Sequence, residues 1–250
     1  MNGQSSLEDS PTSTQNTNGA RKRRGLRAVL ESKKHQRQPF DEYRRFVQDH
    51  YDGLAGKLTH VTGILTLHAV LAGRVFHPQA FDVRGARRIL DAGCGNGRYT
   101  RNILRWADRD AFVTAFDLSQ SMLRRARRQL KNGRVSHVAA DVTRLPYADA
   151  SFDCVVCGWM LEHLPDPAPG LRELARVLQP GGKMLLMVTE DTVTGAVCSR
   201  MWHCRTYNRQ ELMRVCEECG LQWHRPLYFT RIHRVFKLGG IIVELVKRKV

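Results

Sequence analysis

The stretch Arg88-Ile-Leu-Asp-Ala-Gly-Cys-Gly-Asn-Gly-Arg-Tyr-Thr-Arg-Asn-Ile-Leu104 constrains this chain more than any other. Its apolar opening, closed by Asp91, reads as a short buried strand. Glycines follow at 93, 95 and 97, and Tyr99 to Leu104 has helical apolar spacing. Strand, glycine loop and helix in that order make a nucleoside cradle. Glycine lets the backbone through conformations closed to residues with a Cβ, and it leaves room for a ligand to lie against the chain.

The loop also says which nucleoside. The dinucleotide fingerprint Gly-x-Gly-x-x-Gly fails at Arg98, and the Gly-Lys-Ser/Thr of a Walker loop is absent. What stands is Asp-x-Gly-x-Gly-x-Gly, with Asp91 at the carboxyl end of the strand. A carboxylate there sits awkwardly against a pyrophosphate but favours a cationic ligand. S-adenosylmethionine, with its sulfonium and amino groups, is such a ligand.

At these residues the chain resembles the class I S-adenosylmethionine-dependent methyltransferases, from about Arg88 to Val188 and more weakly to the C-terminus. Within that family it is most similar to the small-molecule branch that includes the ubiquinone and menaquinone biosynthesis C-methyltransferases. The resemblance implies a three-layer, doubly wound α/β fold with a seven-stranded, mostly parallel sheet and one antiparallel strand. It also implies S-adenosylmethionine at the carboxyl ends of the first strands.

The later segments fall into that register. Ala111 to Asp117 is an apolar strand ending in a carboxylate 26 residues beyond Asp91, a distance that fits one helix and one return strand. At the end of the neighbouring strand Asp117 can accept both ribose hydroxyls. By resemblance, Leu118 and Met122 pack near the adenosine, Asp141 bonds the adenine amino group, and the Val142 amide bonds a ring nitrogen. Val135 to Asp141 reads as the third strand, and Leu145-Pro146 with Ser151-Phe152-Asp153 repeats phrasing common in the small-molecule branch.

Phe152 to Cys157 is the fourth strand, and Gly158-Trp159-Met160-Leu161-Glu162-His163-Leu164 leads from it towards the acceptor. Enzymes that methylate base amino groups usually show Asn or Asp, Pro-Pro and an aromatic here, and protein arginine methyltransferases show two glutamates. Neither pattern is present. Glu162 and His163 are the candidate catalytic pair, His163 as a base and Glu162 as its orienter or a substrate contact. The alternative is that both brace the loop. Leu171 to Leu178 reads as an amphipathic helix, Gln179-Pro-Gly-Gly182 as a turn and Lys183 to Val188 as a strand. Thr189 to Tyr207 reads as an irregular connection, Asn208 to Cys219 as a helix, and Leu221 to Phe229 and Ile241 to Lys247 as the last strands.

Ahead of the first strand, Pro39 to Phe76 reads as helical. Tyr51-Asp52 resembles the Tyr-Asp of the family's leader, which places Tyr51 at the cofactor, and His60 and His68 are further candidate bases or packed helix residues. The polar first twenty residues and the basic run from Arg21 to Arg37 read as a disordered arm over 1–37, leaving 38–250 as one methyltransferase domain. Residues 1–45 hold ten Lys and Arg against five Asp and Glu, so +11 of the chain's +16 lies beyond them, much of it on Ser121 to Leu130 with Arg124, Arg125, Arg127 and Arg128. No secretory apolar segment or run of roughly 18 apolar residues occurs, which points to a cytoplasmic protein with thiols rather than disulfides. Cys154 and Cys157 share a zinc-like spacing, yet on a strand they face opposite sides. Cys216 and Cys219 repeat it on a helix. No metal is expected. The expected partner is a small-molecule acceptor, hydrophobic and lipid- or quinone-like, met at an anionic membrane surface. The alternative acceptor is RNA or protein engaged through the basic surface.

Overall fold

The structure is a computed structural model that describes residues 68–202, 204–236 and 239–249. Helix α1 (His68–Val75) is followed by β1 (Arg88–Ala92), α2 (Arg98–Trp106), β2 (Phe112–Asp117), α3 (Gln120–Leu130), β3 (Val135–Ala139) and β4 (Phe152–Gly158). A single 3-10 turn (Leu161–His163) leads to α4 (Ala168–Val177), β5 (Leu178–Val188), α5 (Val193–Trp202), α6 (Arg209–Glu218), β6 (Leu221–Pro226), α7 (Arg231–Phe236) and β7 (Ile241–Lys247). The strands form one sheet in the order β3-β2-β1-β4-β5-β7-β6, and only β7 runs against the others. The doubly wound, seven-stranded sheet expected from the sequence is the one observed.

Alternation along the central strands builds the three layers. Ile89, Val113, Cys154, Val156, Leu185 and Met187 face one side, where Val75 and Phe76 of the α1 region and Tyr99 and Ile103 of α2 cover them. Leu90, Ala92, Val155, Cys157, Met184 and Leu186 face the other, covered by Leu171 and Leu174 of α4 and Leu212 and Cys216 of α6. Each fully buried Leu contributes about 2 kcal/mol from removal of apolar surface from water. Cys154 and Cys157 belong to opposite layers, as the strand period requires.

Several boundaries differ from the sequence reading. Gln179-Pro-Gly-Gly182 is drawn into β5 instead of preceding it: Leu178 pairs with Phe152 and Lys183 with Cys154, so the extra residues bulge from an otherwise continuous ladder. The connection read as irregular contains α5, whose start is capped where Thr192 Oγ1 accepts the Gly195 amide at 3.1 Å. β3 stops at Ala139, and Asp141 lies beyond it in a tight turn bridged to Arg144. β6 stops at Pro226, although the Leu227 amide still donates to Ile242 O at 2.8 Å. Helix α3 carries its arginines as expected, with Arg124, Arg127 and Arg128 exposed and Met122, Leu123 and Ala126 buried. The arm at 1–37, Tyr51 and His60 lie outside the described residues, as does the side chain of His68.

Candidate functional site

Strand register gathers the candidate residues. Ala92 pairs with Phe116 and with Cys157, and Asp117 pairs with Ala139, so the carboxyl ends of β3, β2, β1 and β4 lie side by side. Along β1 the side chain of Asp91 alternates with Leu90 and Ala92 and therefore points to the α2 layer. There it is fully buried, and the Thr100 hydroxyl donates to its Oδ2 at 2.5 Å. Its Oδ1 is buried with no hydrogen-bond partner among the described residues. Burial raises the carboxyl pKa to about 7, against the lowering effect of the Thr100 bond, and the nearby Asp117 charge adds to the rise.

The loop after β1 turns on left-handed glycines. Gly93 has φ +69°, and a Cβ there would lie 2.4 Å from Met160 Cγ, so the close approach of the β4 exit excludes a side chain. Gly95, at φ +53°, faces open space with nothing within 4 Å of an added Cβ. Gly97 starts α2 and packs under Leu130. The Cys94 amide donates to Phe116 O at 2.9 Å, and the Gly95 amide donates to Asp117 Oδ2 at 2.8 Å, which ties the loop to the end of β2. The other Asp117 oxygen accepts the Ser119 amide at 2.8 Å. Two amides thus hold a carboxylate that can accept up to four hydrogen bonds in all.

Leu118 is half-buried and Met122 buried at the start of α3, where Ser119 Oγ caps the helix by accepting the Met122 amide. Asp141 Oδ1 accepts both the amide and the hydroxyl of Thr143 at 2.9 Å. The Val142 side chain is in the core, so its contribution to a ligand is its backbone. Together these residues fit a cationic nucleoside. The orphaned, buried Asp91 oxygen calls for a donor, and the loop is open at Gly95. Asp91 would hold the ammonium of S-adenosylmethionine, Asp117 its ribose, and Asp141 with the Val142 amide its adenine.

The segment beyond β4, read from the sequence as leading towards the acceptor, is held by longer-range contacts. Trp159 directly follows β4 with φ +57°, a left-handed conformation that is strained for a bulky residue. Its indole N–H donates to Tyr99 Oη at 2.6 Å, and its amide donates to Met187 O at 2.8 Å. Glu162, only 6% exposed, accepts the Thr189 amide at 2.7 Å and a hydrogen bond from the Cys204 thiol, and burial raises its pKa. Its carbonyl accepts the Arg205 amide at 2.8 Å, and Tyr207 Oη donates to Leu161 O at 2.8 Å. Glu162 therefore clamps the β4 exit to the chain beyond β5. His163 is half-buried at the end of the same 3-10 turn. Sequence reasoning missed Tyr99, Thr100 and the strain at Trp159. A threonine in the first turn after the glycine loop was the available signal for Thr100, whereas nothing local marks the other two.

Residues 90–186 match the family model of a methyltransferase domain. The ubiquinone/menaquinone biosynthesis C-methyltransferase UbiE of Pasteurella multocida is 31% identical over 150 residues, which cover 58% of this chain and 56% of that protein. The chain thus spans little more than half the length of that curated relative. A chain of the complex between the Trm112 methyltransferase activator of Haloferax volcanii and its candidate methyltransferase superposes with a TM-score of 0.63 at 18% identity. That match covers 83% of this chain and 98% of the other. An S-adenosylmethionine-dependent methyltransferase from Mesorhizobium loti gives 0.57 at 18% identity, covering 71% and 96%. At such identities the structural likeness speaks for the fold, and the sequence matches speak for the domain built on it. With the acid-ended strands and glycine loop in place, residues 90–186 of this chain are similar to the domain of the class I S-adenosylmethionine-dependent methyltransferases.

Proposed function

We propose that this chain transfers a methyl group from S-adenosylmethionine to a small apolar acceptor of the quinone-like or lipid-like class. The observation that carries the methyl-donor half is the buried Asp91, with one oxygen held by Thr100 and the other unpartnered beside an open glycine loop. For the acceptor half, support comes from the sequence similarity to a quinone-biosynthesis enzyme and from the Trp159 and Tyr99 rings beside the β4 exit.

The cofactor supplies a methyl carbon on a positively charged sulfur, a leaving group that departs without protonation. The protein's work is then alignment, which in a water-excluded site accounts for a large share of the barrier reduction. Asp91, Asp117 and Asp141 would hold the cofactor so that its methyl carbon could be supplied in line to the acceptor's nucleophilic atom. Where the acceptor atom bears a proton, His163 takes it. Glu162 acts as a positioning residue, since its carboxylate fixes the 3-10 turn that carries His163.

A second reading, an RNA acceptor, has one specific observation behind it. The exposed Arg124 and Arg127 line a cavity of about 240 Å³ with Gln120, Leu123 and Ala139 beside the edge strand β3. The test is S-adenosylhomocysteine formation by the purified chain with a prenylated hydroquinone in detergent and, separately, with total RNA. Asp117→Ala serves as a cofactor-binding control and His163→Gln is assayed across pH. Turnover with the hydroquinone, abolished by Asp117→Ala and losing its pH dependence in His163→Gln, is expected. Turnover with RNA alone, or with neither, overturns the proposal.

A further inference from the structure

Residues Val188 and Ile241 are register partners, so the exit of β5 and the entry of β7 are neighbours at the carboxyl end of the parallel strands, the end that carries Asp91, Asp117 and Trp159. Helix α5 follows the first of these points and α7 precedes the second. Among the described residues five large apolar side chains are exposed, and four of them are on these two helices: Val193 at 79%, Val197 at 59%, Ile232 at 64% and Val235 at 69%. Their spacings, i and i+4 on α5 and i and i+3 on α7, put each pair on one helix face.

The opposite faces are the ones tied to the fold. On α5, Gly195 is pressed against the Glu190 carbonyl, and the Ser199 hydroxyl donates to Cys204 O at 2.5 Å. On α7, His233 bonds Thr230 Oγ1 through Nδ1 at 2.7 Å and meets Phe229 edge-on at 5.5 Å between ring centroids. Among the described side chains, each helix is therefore anchored through small or polar residues and turns its aliphatic ones outward, the reverse of a helix that closes a core. Charge accompanies the apolar face. Arg200, Arg231 and Arg234 are exposed beside it, and neither helix contains an acidic residue, the nearest being Asp191 ahead of α5.

We infer that α5 and α7 form a docking face for a lipid bilayer that carries anionic headgroups. The aliphatic side chains enter the interface and the arginines pair with phosphates. Apolar contact alone would equally suit a second copy of the chain, but a formal net charge of +16 disfavours self-association and favours an anionic surface. Aliphatic burial and basic attraction are the two signals that stable peripheral attachment needs. This inference rests on the apolar-acceptor reading: such an acceptor partitions into the membrane, and both helices adjoin strand ends at the carboxyl end of the sheet.

The test is flotation of the full chain with vesicles of phosphatidylcholine, alone or with 30% phosphatidylglycerol, at low and high salt. The wild type is compared with Ile232→Glu/Val235→Glu and Val193→Ser/Val197→Ser variants, and calorimetric titration with S-adenosylhomocysteine confirms that each variant is folded. Binding only to the anionic vesicles, weakened by salt and reduced at least tenfold by either pair of substitutions with nucleoside affinity intact, is expected. No binding at low salt, binding indifferent to both variants, or an oligomer of the wild type that both variants dissolve, overturns it. Methyl transfer to a short-chain hydroquinone in the absence of vesicles separates the two proposals. If it persists while vesicle binding fails, only the docking face is wrong. Vesicle binding without transfer to any apolar acceptor removes the functional reading instead.

Discussion

Replacing Asp91 by Asn opposes two effects that the structure couples at one carboxylate. Asp91 is fully buried, with one partner, Thr100, and a raised pKa of about 7. Because an acid's folded pKa lies above its unfolded value near 3.8, the folded state is the one that resists ionisation, and the sign follows. The penalty is absent below about pH 4, grows as pH rises through 5 and 6, and is complete above about 7. Three units at 1.36 kcal/mol each set a ceiling of about 4 kcal/mol. Asp91→Asn removes that penalty and can still accept from Thr100. Its stability in denaturant therefore exceeds that of the wild type at pH 8, and the gap narrows towards pH 4. Cofactor binding moves the other way. A cationic ligand pairs with the ionised form, so wild-type affinity for S-adenosylmethionine falls as pH drops below about 7, by up to tenfold per unit, and proton release accompanies binding. The Asn variant lacks this dependence and binds about 10- to 100-fold more weakly, the value of a charge-assisted hydrogen bond. Calorimetry in two buffers of different ionisation enthalpy measures both quantities. A wild-type affinity flat from pH 5.5 to 7.5, or an Asn variant that binds as tightly, refutes the reasoning.

Two further perturbations test the geometry around the site. Tyr99→Phe deletes the acceptor of the Trp159 indole and leaves a part-buried N–H without its 2.6 Å partner, so denaturant unfolding should show a loss of about 1–2 kcal/mol. Gly93→Ala meets both a left-handed backbone and Met160, which together cost about 2–4 kcal/mol. Adding Met160→Ala should recover only the packing share, since the backbone strain at φ +69° stays, and a double-mutant cycle on unfolding free energies reads the difference.

The strand-end carboxylates and the glycine loop were legible because their constraints are local. An acid at the end of a strand and a glycine at a required left-handed turn leave their mark within a few residues, so Asp91, Gly93, Gly95 and Asp117 could be placed from spacing alone. Elements were misread where local preference lost to tertiary pairing. Val193-Thr-Gly-Ala-Val197 has the β-branched residues and glycine of a poor helix, yet it is helical because Thr192 caps it and Gly195 fits under the Glu190 carbonyl. Pro-Gly-Gly at 180–182 has turn chemistry, yet the ladder on both sides of it holds it in the sheet as a bulge.

The segment beyond β4 was illegible for the complementary reason. Glu162 finds its partners at Thr189 and Cys204, 27 and 42 residues away, while Trp159 is held by Tyr99 on α2, by the Met187 carbonyl on β5 and by the approach of Gly240 at the head of β7. No spacing rule reports such contacts. Their effect is to make the segment beyond β4 depend on separate stretches of the chain, whereas Asp117 is held by two nearby amides and the glycine loop by β1, β2 and the approach of Met160. Met160 is where the two parts meet, since its side chain lies where a Cβ at Gly93 would go. Trp159, strained in its backbone at φ +57° and fixed through its ring by Tyr99, is therefore positioned by tertiary contact and not by local preference.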